Sequence, residues 1–192
     1  MRLFVAADLP QDARDALAGT LKRLASTLGG SGGKLRWVSA ERAHLTLVFL
    51  GDVDEPRVPA VVDAMSRDVS GQPFDITLDT IGVFPPRGAP RVLWIGVGAG
   101  ASEVTDLQRE MTRRIGALGI PLEDRPFHPH LTLARWRESR STDRDRALRS
   151  APHGVVARAR IEGATLYQSH LSSSGPSYTA LARATLTRSA GR

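Results

Sequence analysis

The chain has 192 residues, 41% of them hydrophobic, a formal net charge of +6 and no cysteine. That length and apolar content suit one domain with its own core; the lack of Cys excludes disulfides and thiolate chemistry, and no apolar run is long enough to span a bilayer. The N-terminus runs straight into a strand and has no leader-like apolar region, so a cytoplasmic monomer is expected. The positive charge favours anionic partners such as nucleic acid. Nearly all the cations are Arg, however, with only Lys22 and Lys34 as exceptions, and scattered surface Arg is the plainer reading of that bias.

Leu3 to Ala7 reads as a buried strand. Pro10 suits a helix start, and Leu17, Leu21, Leu24 and Leu28 then line one face of an amphipathic helix. Gly29 to Gly33 reads as a loop. A short strand over Leu35 to Val38 precedes a longer one from His44 to Leu50. Asp54 and Pro56 open a second helix, with Val58, Val61, Val62, Met65 and Val69 facing inward. Phe74, Ile76 and Leu78 alternate with polar residues as a half-buried strand. A proline-rich loop follows at Pro85 to Pro90, then a strand over Val92 to Val97. A third helix turns Val104, Leu107, Met111, Ile115 and Leu118 inward. Pro126 and Pro129 cannot donate to a ladder, so the next strand starts at about His130. Asp143 to Leu148 reads as a surface helix, Val155 to Ile161 and Thr165 to Gln168 as strands, and Leu171 to Ser177 as a loop. Tyr178 to Leu186 alternates as the last strand.

The tetrapeptide His-Leu-Thr-Leu occurs twice, at His44 to Leu47 and at His130 to Leu133, each time on an expected strand. Side chains two apart on a strand share a face. Each copy therefore presents one imidazole and one hydroxyl together, with its two leucines behind. Two imidazoles converging on one cleft can act as general base and general acid near neutral pH. Two hydroxyls can hold the non-bridging oxygens of a phosphate. An isolated His-x-Thr is commonplace; two identical copies on strands point to His44, Thr46, His130 and Thr132 as catalytic residues. A faint internal repeat accompanies them. Arg2 to Val5 and Arg91 to Trp94 each open a strand, and each is followed by a helix and then by a motif strand. The order implies an α+β fold of antiparallel sheets lining a cleft, with helices outside.

The paired motifs, together with Arg2 to Pro10, His44 to Gly51, Leu166 to Ser169 and Tyr178, resemble the 2H phosphoesterases over nearly the whole chain. The nearer resemblance is to the RNA 2',3'-cyclic phosphodiesterase branch, historically called 2'-5' RNA ligase. The resemblance implies one bilobal, pseudo-symmetric domain over residues 1–192, in which water opens an RNA 2',3'-cyclic phosphate to a 2'-phosphate. It implies His44 as general acid and His130 as general base, with ligation as the reverse reaction in vitro. It also places Phe49 and Arg135, each five residues after a motif His, beside the substrate nucleotide. On a regular strand position five lies on the face opposite the His, so a bulge or a strand end is required.

No phosphate-binding Gly-x-x-x-x-Gly-Lys-Ser/Thr loop is present. His128 and His130 have the spacing to chelate, but only Glu123 and Asp124, in a loop, stand near them in sequence. Neither a metal nor another cofactor is expected. His128, His153, His170 and the tryptophans read as structural or exposed, and Tyr167 has no assigned role. The expected partner is RNA with a 2',3'-cyclic end or a small cyclic nucleotide. The competing readings are action on another cyclic phosphate, and a non-catalytic RNA-binding module that would leave two His with two Thr unexplained.

Overall fold

The alternating and apolar stretches of the chain form two five-stranded sheets in a computed structural model that describes residues 1–28, 35–172 and 175–188. The strands are β1 (Arg2–Asp8), β2 (Leu35–Trp37), β3 (His44–Asp52), β4 (Val69–Ser70), β5 (Phe74–Phe84), β6 (Val92–Val97), β7 (His130–Trp136), β8 (Ala157–Ile161), β9 (Gly163–Ser172) and β10 (Gly175–Thr187). The helices are α1 (Gln11–Leu28), α2 (Val58–Met65), α3 (Ala101–Gly116) and α4 (Ser141–Arg149). The first sheet runs β3-β1-β9-β10-β4 and the second β2-β7-β6-β5-β8. All pairings are antiparallel except β10 with β4. The α+β expectation of two sheets with helices outside matches this architecture.

The helices tie the sheets together. α1 follows β1 of the first sheet but packs on β8 of the second, while α3 follows β6 of the second sheet and packs on β3 of the first. α2 covers β9 and β10, and α4 covers β5. The leucine stripe of α1 is buried at Leu17, Leu21, Leu24 and Leu28, and that of α3 at Val104, Leu107, Met111 and Ile115. One continuous apolar core results. Leu45, Leu47, Leu131 and Leu133, the backs of both motifs, belong to it. Each fully buried leucine contributes about 1.5–3 kcal/mol over an exposed one.

Several local expectations change. α2 starts at Val58, after a 3-10 turn over Glu55–Arg57, and Val69 lies beyond it on β4, opposite Leu186. The half-buried strand from Phe74 continues to Phe84. Most of Leu171 to Ser177 is not loop: Leu171 and Ser172 end β9, Gly175 to Ser177 open β10, and the two strands form a long hairpin. A ladder partner overrode the weak strand character of Ser, Gly and Pro there. The expected loop at Gly29 to Gly33 lies outside the described residues. No helix among the described residues is long and apolar enough to cross a membrane.

Candidate active site

β1 is a regular strand, and its alternate residues Phe4, Ala6 and Asp8 share one face. Across the ladder these pair with Phe49, Thr46 and His44 in turn. The register slips between Val5 and Ala6, so Leu47 is an extra residue in β3. That bulge reverses the alternation and brings Phe49 to the face of His44 and Thr46. A second slip, between Leu3 and Phe4, leaves Gly51 at φ +71, a conformation that suits glycine.

The second sheet repeats the device. Gly96, Trp94 and Val92 of β6 pair with His130, Thr132 and Arg135 of β7, and the slip between Leu93 and Trp94 makes Leu133 the extra residue. Arg135 thereby joins the face of His130 and Thr132. Arg36 of β2 pairs with Arg135 on that same face. The bulge that position five requires is present in both motif strands.

The two motif strands lie against each other at the junction of the sheets. The β9–β10 hairpin also reaches across. A Cβ on Gly175 would stand 2.9 Å from the Arg36 guanidinium, and Arg42 donates to the Pro176 carbonyl at 3.3 Å. The motif His and Thr side chains are half-buried, whereas the leucines behind them are buried.

Each imidazole is held in the same way. Nδ1 of His44 lies 2.8 Å from the Arg42 carbonyl, and Nδ1 of His130 lies 2.6 Å from the His128 carbonyl. A carbonyl only accepts, so Nδ1 carries a proton in both rings, and Nε2 is the nitrogen left to take or give one.

The surroundings differ. His44 stacks on Phe4, with ring centroids 4.9 Å apart, and meets the ring of Tyr178 edge-on at 5.3 Å. Burial lowers its pKa; the Arg42 carbonyl and the negative charge of Asp8 oppose that. Asp8 accepts from Thr165 at 2.7 Å and from Tyr167 at 2.6 Å. Tyr167 in turn is pushed up to about 12, by burial first and then by Asp8. His130 meets Phe84 edge-on at 5.1 Å and Trp94 at 5.9 Å. Burial lowers its pKa too, the His128 carbonyl opposes, and the charges of His128 and Arg135 lower it further. A carboxylate therefore favours the proton on His44, while cationic neighbours disfavour it on His130.

Trp94 owes its position to Gly82, its register partner, where a Cβ would fall 2.1 Å from the indole ring. Phe49 is 40% exposed with the Arg2 guanidinium 5.1 Å from its ring centroid. Arg135 is exposed, and no ion pair among the described residues uses it. His128 is exposed, and its carbonyl orients His130. Among the described residues no cluster of three or more His, Asp or Glu side chains is close enough to hold a metal ion. Asp8, Tyr167 and Gly82 escaped the sequence reading. The one signal for the first two was that both lie in stretches carrying the family resemblance.

The sequence matches the LigT-like phosphoesterase family twice, over residues 8–94 and 95–178. The chain belongs to that family, the LigT-like 2H phosphoesterases. Among its relatives, the RNA 2',3'-cyclic phosphodiesterase of Aeropyrum pernix is 34% identical over 86% of this chain and 94% of its own length. That of Archaeoglobus fulgidus is 33% identical over 93% and 96%. A crystal structure from Thermus thermophilus superposes with a TM-score of 0.79 at 29% identity, covering 98% of this chain and 100% of that one. E. coli LigT complexed with 3'-AMP gives 0.71 at 26% identity, covering 97% and 98%. The two successive matches divide the chain between the two motifs, one His-x-Thr in each half.

Proposed function

We propose that this LigT-like phosphoesterase hydrolyses RNA 2',3'-cyclic phosphate ends to 2'-phosphates, with its two histidines as the proton carriers and no metal ion. Nε2 of His130 takes a proton from water as the water oxygen bonds to phosphorus. The P–O3' bond breaks on the opposite side, and Nε2 of His44 gives its proton to O3'. The hydroxyls of Thr46 and Thr132 donate to the non-bridging oxygens. Such donors, aimed where charge develops, are often the largest contribution to a rate enhancement. Phe49 stacks on the terminal base, and Arg135 pairs with phosphate or base. With a 5'-hydroxyl in place of water, O5' bonds to phosphorus, P–O3' breaks with the His44 proton going to O3', and the same chemistry joins RNA through a 2'-5' bond in vitro.

One observation carries this reading. Both imidazoles present Nε2 with Nδ1 locked on a carbonyl, yet only His44 has a carboxylate opposite it. Burial lowers both imidazoles, and that asymmetry supports His44 as the proton donor and His130 as the acceptor. The names of the relatives and the 3'-AMP bound to E. coli LigT support a ribonucleotide substrate. The test is an oligoribonucleotide with a 2',3'-cyclic end incubated with the protein and EDTA, and the position of the product phosphate mapped. Turnover to a 2'-phosphate is expected; a 3'-phosphate, or dependence on added metal, contradicts the proposal.

A further inference from the structure

The second sheet ends in a groove of about 810 Å³ lined by Pro85, Arg87, Arg91, Trp136, Arg137 and Ser139 among others, with no carboxylate in its lining. Arg87, Arg91 and Arg137 are exposed, and none is used in an ion pair among the described residues. Several arginines elsewhere in the chain are paired, as Arg67 is with Asp63, Arg109 with Asp106, and Arg113 and Arg114 with Glu110. Another hollow, of about 460 Å³, has the opposite charge, with Glu103, Asp106 and Glu110 on its wall.

The groove lies at the ends of the strands that carry the candidate active site. Phe84, whose ring touches His130, is followed directly by Pro85 on the groove wall. Arg135, on the His130 face, is followed by Trp136, which turns to the core-packed face of β7, and by Arg137 just past the strand. The rim is braced by backbone, with Trp136 N–H donating to the Arg91 carbonyl at 2.9 Å and Arg91 N–H to the Phe84 carbonyl at 2.7 Å. From His130 to Trp136 the strand rises roughly 20 Å, so the groove lies just past Arg135, the residue proposed to meet the terminal nucleotide. Unpaired guanidiniums in a groove without carboxylates have the chemistry of a single-strand nucleic-acid track, where cations follow phosphates.

We propose that this groove holds the RNA strand 5' of the reacting nucleotide, with Arg87, Arg91 and Arg137 on its phosphates. The inference rests on the reading of the site as an RNA-end phosphodiesterase. It makes the enzyme favour oligonucleotides over mononucleotides, through binding and not through chemistry.

The experiment compares the parent with an Arg87→Ala/Arg91→Ala/Arg137→Ala variant on two substrates, cytidine 2',3'-cyclic phosphate and a short oligoribonucleotide with a 2',3'-cyclic end. The mononucleotide constants should be unchanged, which also reports that the variant is folded. For the oligonucleotide, KM should rise about tenfold or more with kcat retained, and the slope of log KM against log salt should fall by about 2, since each single-strand phosphate contact contributes roughly 0.7. Equal effects on both substrates, or an unchanged oligonucleotide KM and salt slope, would overturn the proposal. Fluorescence anisotropy with the same oligonucleotide bearing a plain 3'-hydroxyl separates the two readings. If the parent binds it and the variant does not, while neither turns over a cyclic phosphate, the groove stands and the proposed reaction falls. If the parent turns over both substrates and the variant is indistinguishable from it, the groove alone falls.

Discussion

Asp8 stands directly across the β1–β3 ladder from His44, and its two carboxylate oxygens accept one hydrogen bond each from Thr165 and Tyr167. These donors fix the carboxylate and keep it beside a ring whose pKa burial lowers and only the Arg42 carbonyl would otherwise hold up. With His44 as the acid, activity is lost as pH rises through the His44 value. With His130 as the base, it is lost as pH falls through the His130 value. Removing the Asp8 charge lowers the first value and leaves the second. Asp8→Asn should therefore pull the alkaline limb of the kcat/KM profile to lower pH while the acid limb stays in place. A shift of the acid limb alone would reverse the two roles.

The parent profile itself should be bell-shaped. Burial depresses both imidazoles in the free protein, so the maximum of kcat/KM should lie on the acid side of neutrality. Arg135 lowers His130 further. Arg135→Ala should accordingly raise KM and move the acid limb slightly upward in pH, which steady-state kinetics across pH would detect.

Much of this was legible in the chain. The duplicated His-Leu-Thr-Leu, the strand start at His130 after two prolines, and the helix stripes of α1 and α3 are local patterns, and local patterns survive folding. Phe49 and Arg135 could share a face with their histidines only through an irregularity, and both strands supply it one residue after the motif threonine. Other features depend on contacts remote in sequence. Tyr167 reaches Asp8 across 159 positions. Val69 leaves the helix pattern because β10 offers it a ladder. The paired residues Leu171, Ser172 and Gly175 to Ser177 contradict their composition for the same reason. The carbonyls of Arg42 and His128 carry no side-chain signal at all.

Gly82 tests whether the wall beside His130 matters. Gly82→Ala places a methyl within the Trp94 ring, so the indole must move. Overpacking of this kind costs about 1–3 kcal/mol. The variant should show a lower melting temperature, altered tryptophan fluorescence and reduced kcat. An unchanged kcat with a lowered melting temperature would make Trp94 a packing residue only.

Arg114 tests the frame. Its guanidinium donates to Glu110 and to the carbonyls of Ala64, Arg67 and Asp68 at the end of α2. Its side chain is 12% exposed. Arg114→Ala should destabilise the protein by about 1–3 kcal/mol, because it strips those acceptors of their partner. Urea unfolding would measure this, and the KM of the folded variant should match the parent.

The most direct measurement is single-turnover hydrolysis of an oligoribonucleotide with a 2',3'-cyclic end, in EDTA, by the parent, His44→Ala and His130→Ala. The parent should yield the 2'-phosphate, and each variant should be slower by at least the 10²–10⁴-fold typical of a proton-transferring side chain. Parent-like rates in either variant, or a product carrying its phosphate on the 3' oxygen, would contradict the account.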